Sequence, residues 1–347
     1  RILLKVGKFK AETFDELFEN TKALPWEEFL PQDAKFWVAK AASIKSKLFS
    51  PSDIQSIMKK AMVERMKSVH NISWFTEDGA SYPVRVFLLK DEVSVGLDTT
   101  GDSLHKRGYR KLTAKAPIAE NLAAGLIKLT PWHGDRILVD PFCGSGTIPI
   151  EAAMMGANIA PGMNRHFIAE SWKNIIDPVY WEDAFEEARD LVDLSVKMDI
   201  QGYDIDGLVL KAARENAKRA GVDQMIHFQQ RAVKDLRHPK KYGFIITNPP
   251  YKYAQEFVEK AMDIMEDGKY LCMLMKLTFL EGKKRQQLFK QRNLKTIYVM
   301  AGRMGCAKNG EFADKENETE GGAIAYAWYV WEKGYCGDPV VKWINNR

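Results

Sequence analysis

Val139-Asp140-Pro141-Phe142-Cys143-Gly144-Ser145-Gly146-Thr147 is the stretch that decides the fold of this chain. An apolar strand over Arg136–Asp140 ends in a carboxylate. Two glycines follow, at the start of a helix that runs to about Met155. Glycines let the backbone turn tightly and come close to a ligand. The spacing is neither GxGxxG nor the phosphate loop with its terminal Lys-Ser/Thr. A carboxylate at this point repels a pyrophosphate but welcomes an ammonium group. That favours S-adenosylmethionine, whose amino-acid moiety carries one. The expected cofactor-binding residues of the turn are Asp140, Phe142, Cys143, Gly144, Ser145, Gly146 and Thr147. Phe142 and Cys143 shape the pocket, since no histidine is placed by sequence to activate the thiol.

Working outward, strands and helices alternate. A helix over Ile118–Leu129 precedes the turn. A strand at Gln201–Asp204, a helix at Gly207–Arg219, and strands at Met225–Gln229 and Phe244–Thr247 follow it. Then come a helix at Tyr253–Ile264, a strand at Tyr270–Lys276, a helix at Lys283–Gln291, and strands at Thr296–Met300 and Ala323–Trp331. This rhythm predicts an α/β doubly wound sheet closed by a terminal β-hairpin. Residues 165–200 read as a helical insertion, and Asn309–Gly321 as a polar loop. Trp328 and Trp331 belong to the core of the last strand.

Further strand ends carry chemistry. In Gly202-Tyr203-Asp204-Ile205-Asp206, Asp204 sits where doubly wound folds bind ribose hydroxyls. Asp206 either contacts the adenine side or caps the next helix. After the third strand, Asp235 either accepts from an adenine amino group or is a plain surface acid. Thr247-Asn248-Pro249-Pro250-Tyr251 ends the fourth strand. Two prolines fix the backbone and remove donors. The Asn248 amide oxygen and a backbone carbonyl can accept from an exocyclic amine, and Tyr251 can stack on the base that carries it. Asn248, Pro249, Pro250 and Tyr251 are therefore the expected catalytic group, orienting a nitrogen lone pair at a sulfonium methyl. Lys276, ending the fifth strand, is placed on the substrate side. A base in a duplex reaches such a pocket only when flipped or unpaired.

The front of the chain differs. A strand over Arg1–Phe9, a short helix at Phe14–Phe18, a strand at Phe36–Val38, a helix at Ser52–Met66 and a hairpin of Tyr82–Lys90 with Glu92–Asp98 make a small α+β domain ending near residue 100. Residues 1–116 hold 20 Lys/Arg against 15 Asp/Glu, and the rest holds 31 of each, so the whole net charge of +5 lies in front. That permits a polyanion as partner. The expected nucleic-acid contacts are Lys45, Lys47, Lys59 and Lys60, with Lys106, Arg107, Arg110 and Lys111 in a basic linker over 101–116. Four scattered cysteines fit a reduced, cytoplasmic setting. No apolar run reaches the 18 residues of a membrane span. Histidines and cysteines do not cluster at metal spacing, so no metal is expected.

Several blocks carry a resemblance: Thr13-Phe14-Asp15-Glu16-Leu17-Phe18, Leu24-Pro25-Trp26, Leu104-His105-Lys106-Arg107-Gly108-Tyr109-Arg110, Asp140 through Glu151, Asn158-Ile159-Ala160-Pro161-Gly162, and Asn248-Pro249-Pro250-Tyr251. Over residues 1–251 the chain resembles the bacterial 23S rRNA guanine-N2 methyltransferases that carry a THUMP RNA-binding domain ahead of a class I Rossmann-like methyltransferase domain. The resemblance implies a THUMP-like region over 1–100 that lacks the family's first strands, and a catalytic domain over 117–347. It implies S-adenosylmethionine near Asp140, Gly144, Gly146, Asp204 and Asp235, and the target amine at Asn248–Tyr251. The implied partner is RNA, namely large-subunit rRNA or its assembly intermediate. The family continues after the tyrosine with Gly-Glu-Arg, whereas here Lys252-Tyr253-Ala254 follows. Residues 252–347 look more like phage-type or DNA adenine-N6 methyltransferases, as a mosaic or chimera would. Guanine N2 in RNA and adenine N6 in DNA or RNA both stay open, beside a non-catalytic RNA-binding module.

Overall fold

Alternating side chains of Ser81–Leu89 and Glu92–Asp98 fold back on each other through Lys90 and Asp91. Both turn residues take positive φ, 52° and 65°, as a two-residue hairpin loop demands. The structure, a computed structural model, describes residues 1–110, 118–236, 243–290, 293–302 and 324–345. They form two units: Arg1–Leu104 with His166–Glu187, and His105–Arg165 with Ala188–Arg347.

The first unit runs β1 (Leu3–Lys10), α1 (Phe14–Ala23), β2 (Lys35–Ile44), α2 (Pro51–His70), β3 (Ser81–Leu89) and β4 (Glu92–Asp98). Its sheet has the order β1-β4-β3-β2, with β2 and β3 parallel across α2 and the other pairs antiparallel. The methionine-rich stripe of α2 (Ile54, Met58, Met62 and Met66) is wholly buried in one cluster with Val84, Leu88, Val93 and Leu97. Residues 165–200 do not form one insertion. His166–Glu187 joins the first unit, where the large apolar ring of Trp172 finds an aromatic partner. That ring stacks on Tyr82 at 5.0 Å and its indole N–H donates to the Ser81 carbonyl at 2.9 Å. The Tyr82 hydroxyl in turn donates to Asn174 Oδ1 at 2.6 Å.

The second unit contains α3 (Glu120–Lys128), β5 (Leu138–Asp140), α4 (Thr147–Gly156), β6 (Ile200–Asp204), α6 (Gly207–Ala220), β7 (Ile226–Gln230), β8 (Phe244–Thr247), α7 (Ala254–Ile264), β9 (Tyr270–Lys276), α8 (Lys283–Lys290), β10 (Leu294–Met300), β11 (Tyr326–Glu332) and β12 (Val340–Ile344). A helix α5 (Pro178–Asp190) precedes β6 in the chain. The sheet order is β12-β10-β11-β9-β8-β5-β6-β7. β5 to β9 are mutually parallel where they pair, and β11 lies antiparallel between β9 and β10, so the terminal hairpin is present. β12 extends the edge beside β10. Residues 244–246 of β8 and 271–275 of β9 are unbroken buried apolar runs, as in strands covered on both faces. In β9, Leu271, Met273 and Met275 join one core cluster, while Cys272 and Leu274 join the other. The chain leaves β5 for β6 on one side and returns for β8 on the other. The carboxyl ends of β5 and β8 therefore flank a switch point, where α/β sheets bind ligands. The expected loop over 309–321 lies outside the described residues. Among the described residues, no helix is long and apolar enough to cross a membrane.

Candidate active site

Asp140 is the last residue of β5 and is buried. Its Oδ1 accepts from the Phe142 backbone N–H at 3.1 Å and from the Thr247 hydroxyl at 2.6 Å. Thr247 is the last residue of β8, so this bond ties the glycine turn to the Asn-Pro-Pro-Tyr turn. Among the described residues, Asp140 Oδ2 takes no hydrogen bond. Burial pushes the Asp140 carboxyl up to about 7. The turn itself needs its glycines. Gly146, at φ +86°, precedes α4, and a Cβ there would stand 3.1 Å from both Ala213 and Phe228. Gly144, at φ +53°, faces open space, which is what a residue that lets a ligand approach the backbone requires.

Asp204 ends β6 next door. Its Oδ2 accepts from the Gly144 N–H at 3.1 Å and its Oδ1 from the Asp206 N–H at 3.0 Å. Asp206 caps α6 by accepting from the Leu208 N–H at 2.8 Å. Ile205 and Leu208, on either side of this cap, are about three-quarters exposed at 70% and 74%, and sequence reasoning gave neither a role. They offer apolar surface beside the carboxyl end of β6. Asp235 stands exposed at the end of a short turn after β7. Cys143, Ser145 and Thr147, also placed in the turn by sequence, are buried like Asp140. Burial raises the Cys143 thiol well above its usual range, and the Thr147 hydroxyl accepts from Arg110 at 2.7 Å. Phe142 packs edge-on against Phe257 at 5.1 Å.

At the end of β8, Pro249 is buried and Pro250 exposed, and Tyr251 opens a short turn. The Tyr251 hydroxyl reaches Asn248 Oδ1 at 3.4 Å. Lys276 Nζ lies 5.5 Å from the Tyr251 ring centroid, and the Tyr326 ring, tilted by 47°, has its centroid 5.9 Å away. The sequence placed Lys276 here; it did not reveal Tyr326, which comes from β11, or the bridging role of Thr247, whose hydroxyl beside Asn248 was the available signal.

The basic segment is a second correction. Arg107 pairs with Glu151 at 3.6 Å, and Tyr109 donates to the same carboxylate at 3.0 Å. Arg110 pairs with Glu120 at 3.4 Å and donates to the Ile118 carbonyl at 2.8 Å. With side chains 12% and 7% exposed, the two arginines are structural cations holding α3 and α4, not a phosphate grip. The Lys106 carbonyl accepts from Arg165 at 3.0 Å. Lys111 lies outside the described residues. In the first unit, Lys59 is also spent internally: it lies 3.8 Å over the Phe36 ring and reaches Glu77 at 3.4 Å, and burial lowers its pKa. Lys47 pairs with Glu12, while Lys45 and Lys60 are exposed.

Asp140 and Glu151 set a pH dependence. Burial raises both to about 7. The folded protein therefore holds protons that the unfolded chain releases above its ordinary carboxylate pKa of about 4. Their contribution to stability is full below that value and is lost as pH rises through 7. Urea unfolding is expected to show lower stability at pH 8 than at pH 5, with a smaller drop in the Asp140→Asn/Glu151→Gln variant. An equal drop in that variant would exclude these two groups as the source.

Comparison with known proteins identifies relatives of this chain. YpsC of Bacillus subtilis (strain 168), named as a candidate RNA methyltransferase, is 48% identical over 253 residues, which are 72% of this chain and 65% of that protein. The ribosomal RNA large subunit methyltransferase K/L of Desulfotalea psychrophila (strain LSv54 / DSM 12343) is 28% identical over 353 residues, covering 95% of this chain and 47% of that protein. The chain thus spans about two-thirds and about half of these two relatives. The crystal structure of SMU.472, named as a candidate methyltransferase and complexed with SAH, matches with a TM-score of 0.78 at 34% identity. It covers 97% of this chain and 85% of that one, so the likeness includes the C-terminal strands. Residues 11–98 match the THUMP domain. Residues 107–309, more than half of the chain, match the UPF0020 model, and the protein belongs to this RMKL-like methyltransferase-domain family.

Proposed function

We propose that this chain transfers a methyl group from S-adenosylmethionine to an exocyclic amine of a base in RNA, and that the target is guanine N2 of large-subunit rRNA. The observation that carries the reading is the bond from Thr247 to Asp140, which brings the carboxylate turn and the Asn248–Tyr251 turn to one switch point. The residues present fit the cofactor. Asp140 offers a carboxylate oxygen to an ammonium, Gly144 leaves open space for close approach, Asp204 stands ready for ribose hydroxyls, and Ile205 and Leu208 offer apolar surface to a purine. Bound S-adenosylmethionine supplies an electrophilic methyl on a sulfonium.

The chain's own residues do the positioning. The Asn248 amide oxygen accepts from the target amine and aims its lone pair. Tyr251, with Lys276 and Tyr326 as neighbours, stacks on the base. The rRNA substrate rests on the likeness to the K/L methyltransferase and the THUMP domain, which also make RNA the favoured partner. In the first unit, exposed Lys45 and Lys60 remain candidates for backbone contact.

The test incubates the protein with labelled donor and separate pools of bacterial large-subunit rRNA and DNA, then digests each to nucleosides. The expected product is N2-methylguanosine from the rRNA. Label only in N6-methyladenine would overturn the guanine assignment. Tight RNA binding with no transfer would identify a non-catalytic binding module.

A further inference from the structure

Beside Tyr251 lies a groove of about 370 Å³, within the usual range for small-ligand clefts, about 300–1,000 Å³. Tyr251 and Lys252 form one wall. Phe279, Lys283 and Arg285 form the other, with Glu256 as the one acid among its lining residues. Among the described residues, none of the three cations is paired with a carboxylate, unlike Lys8, Lys10, Lys22, Lys47 and Arg65 of the first unit. Lys252 and Lys283 are exposed.

Arg285 is held in place. Its guanidinium carbon lies 5.0 Å from the centroid of the buried Phe279 ring, and its backbone N–H donates to the Gly282 carbonyl at 3.0 Å. Gly282, at φ +108°, makes room for it: a Cβ there would stand 3.2 Å from Arg285 Nη2. A planar guanidinium fixed on an aromatic face, flanked by two exposed ammonium groups, suits the oxygens of a phosphodiester. The groove is contiguous with Tyr251, the residue proposed to stack on the target base.

We propose that this groove seats the phosphodiester of the nucleotide next to the target base in single-stranded RNA, with Lys283 and Arg285 as its principal contacts and Lys252 closing it. The inference rests on the reading of Tyr251 as the base-stacking residue. It explains how a base is presented unpaired: anchoring the neighbouring phosphate fixes the strand where the base leaves the stack.

The test measures binding of a single-stranded RNA 10-mer across a salt series, for wild type and for Lys283→Gln/Arg285→Gln. The variant is expected to bind about tenfold more weakly at low salt. Its log–log salt slope should be shallower by about 1, since each phosphate neutralised on a single strand adds about 0.7 to the slope. A 10-mer of neutral methylphosphonate linkages should bind both proteins equally. S-adenosylhomocysteine affinity should be the same in both, which shows the fold intact. Equal RNA affinity and equal slope would overturn the groove, as would loss of S-adenosylhomocysteine binding also seen in Gly282→Ala. A wild type that methylates no base, yet shows the expected difference, would overturn the functional reading and leave the groove standing.

Discussion

Asn248→Ala is expected to lower kcat/KM for methyl transfer by about 10²–10³-fold, the usual loss when one preorganised hydrogen-bonding group at a reacting centre is removed. Tyr251→Ala should cost about 10²-fold, within the range of about 1–3 kcal/mol for a base stacked on an aromatic ring. In both variants the dissociation constant for S-adenosylhomocysteine should stay within about threefold of wild type. The switch point divides into two halves. Asn248 and Tyr251 meet each other at 3.4 Å, while Asp140 bonds Phe142 and Thr247, and Asp204 bonds Gly144 and Asp206. Asp140→Ala should behave in the opposite way. It removes the carboxylate offered to the ammonium and leaves the Thr247 hydroxyl and the Phe142 N–H without their acceptor. Donor affinity should then fall first, with transfer following at sub-saturating donor. Equilibrium binding and initial rates separate the two classes. Loss of donor affinity in Tyr251→Ala equal to that in Asp140→Ala would remove Tyr251 from the amine side.

What could be read from the sequence and what could not follows from the range of each interaction. The central strands were legible because burial on both faces makes them continuous apolar runs, and the glycine turn because its conformation is local. β12 was missed: Val340, Val341 and Trp343 are exposed at a sheet edge, so no buried face imposes a pattern on them. Trp172 was visible as a large aromatic, but its partner Tyr82 is ninety residues away in the chain, and periodicity carries no such information. The basic segment failed for the same reason. Counting charge over 105–111 finds cations. It does not find Glu151 and Glu120, which neutralise two of them from α4 and α3. A buried Asp at a strand tip was legible at Asp140; its hydroxyl partner at the tip of the neighbouring strand follows only from strand order, which places β8 beside β5.

Gly108→Ala is expected to be the most destabilising single methyl group in the second unit, at about 3 kcal/mol or more, a shift of at least about 10²-fold in the folded-to-unfolded ratio. Two causes add. Gly108 takes φ +93°, which an L side chain rarely adopts. Its Cβ would also stand 1.6 Å from the backbone oxygen of Asn164 and 2.5 Å from that carbonyl carbon. The obstacle is main chain, so no rotamer change relieves it, and the segment 105–110 must move away from residues 164–165. Such movement pulls Arg107 from Glu151 and Tyr109 from the same carboxylate, stranding buried polar groups whose separation is costly. Gly125 is the internal control. It is an exposed residue of α3 with open space where a Cβ would go, so Gly125→Ala should raise stability by about 1 kcal/mol through helix propensity alone. Urea unfolding of the two variants beside wild type reads both effects. Equal midpoints for Gly108→Ala and wild type would mean that residues 105–110 are not packed against 164–165 in solution, and the ion pairs built on that packing would fall with it.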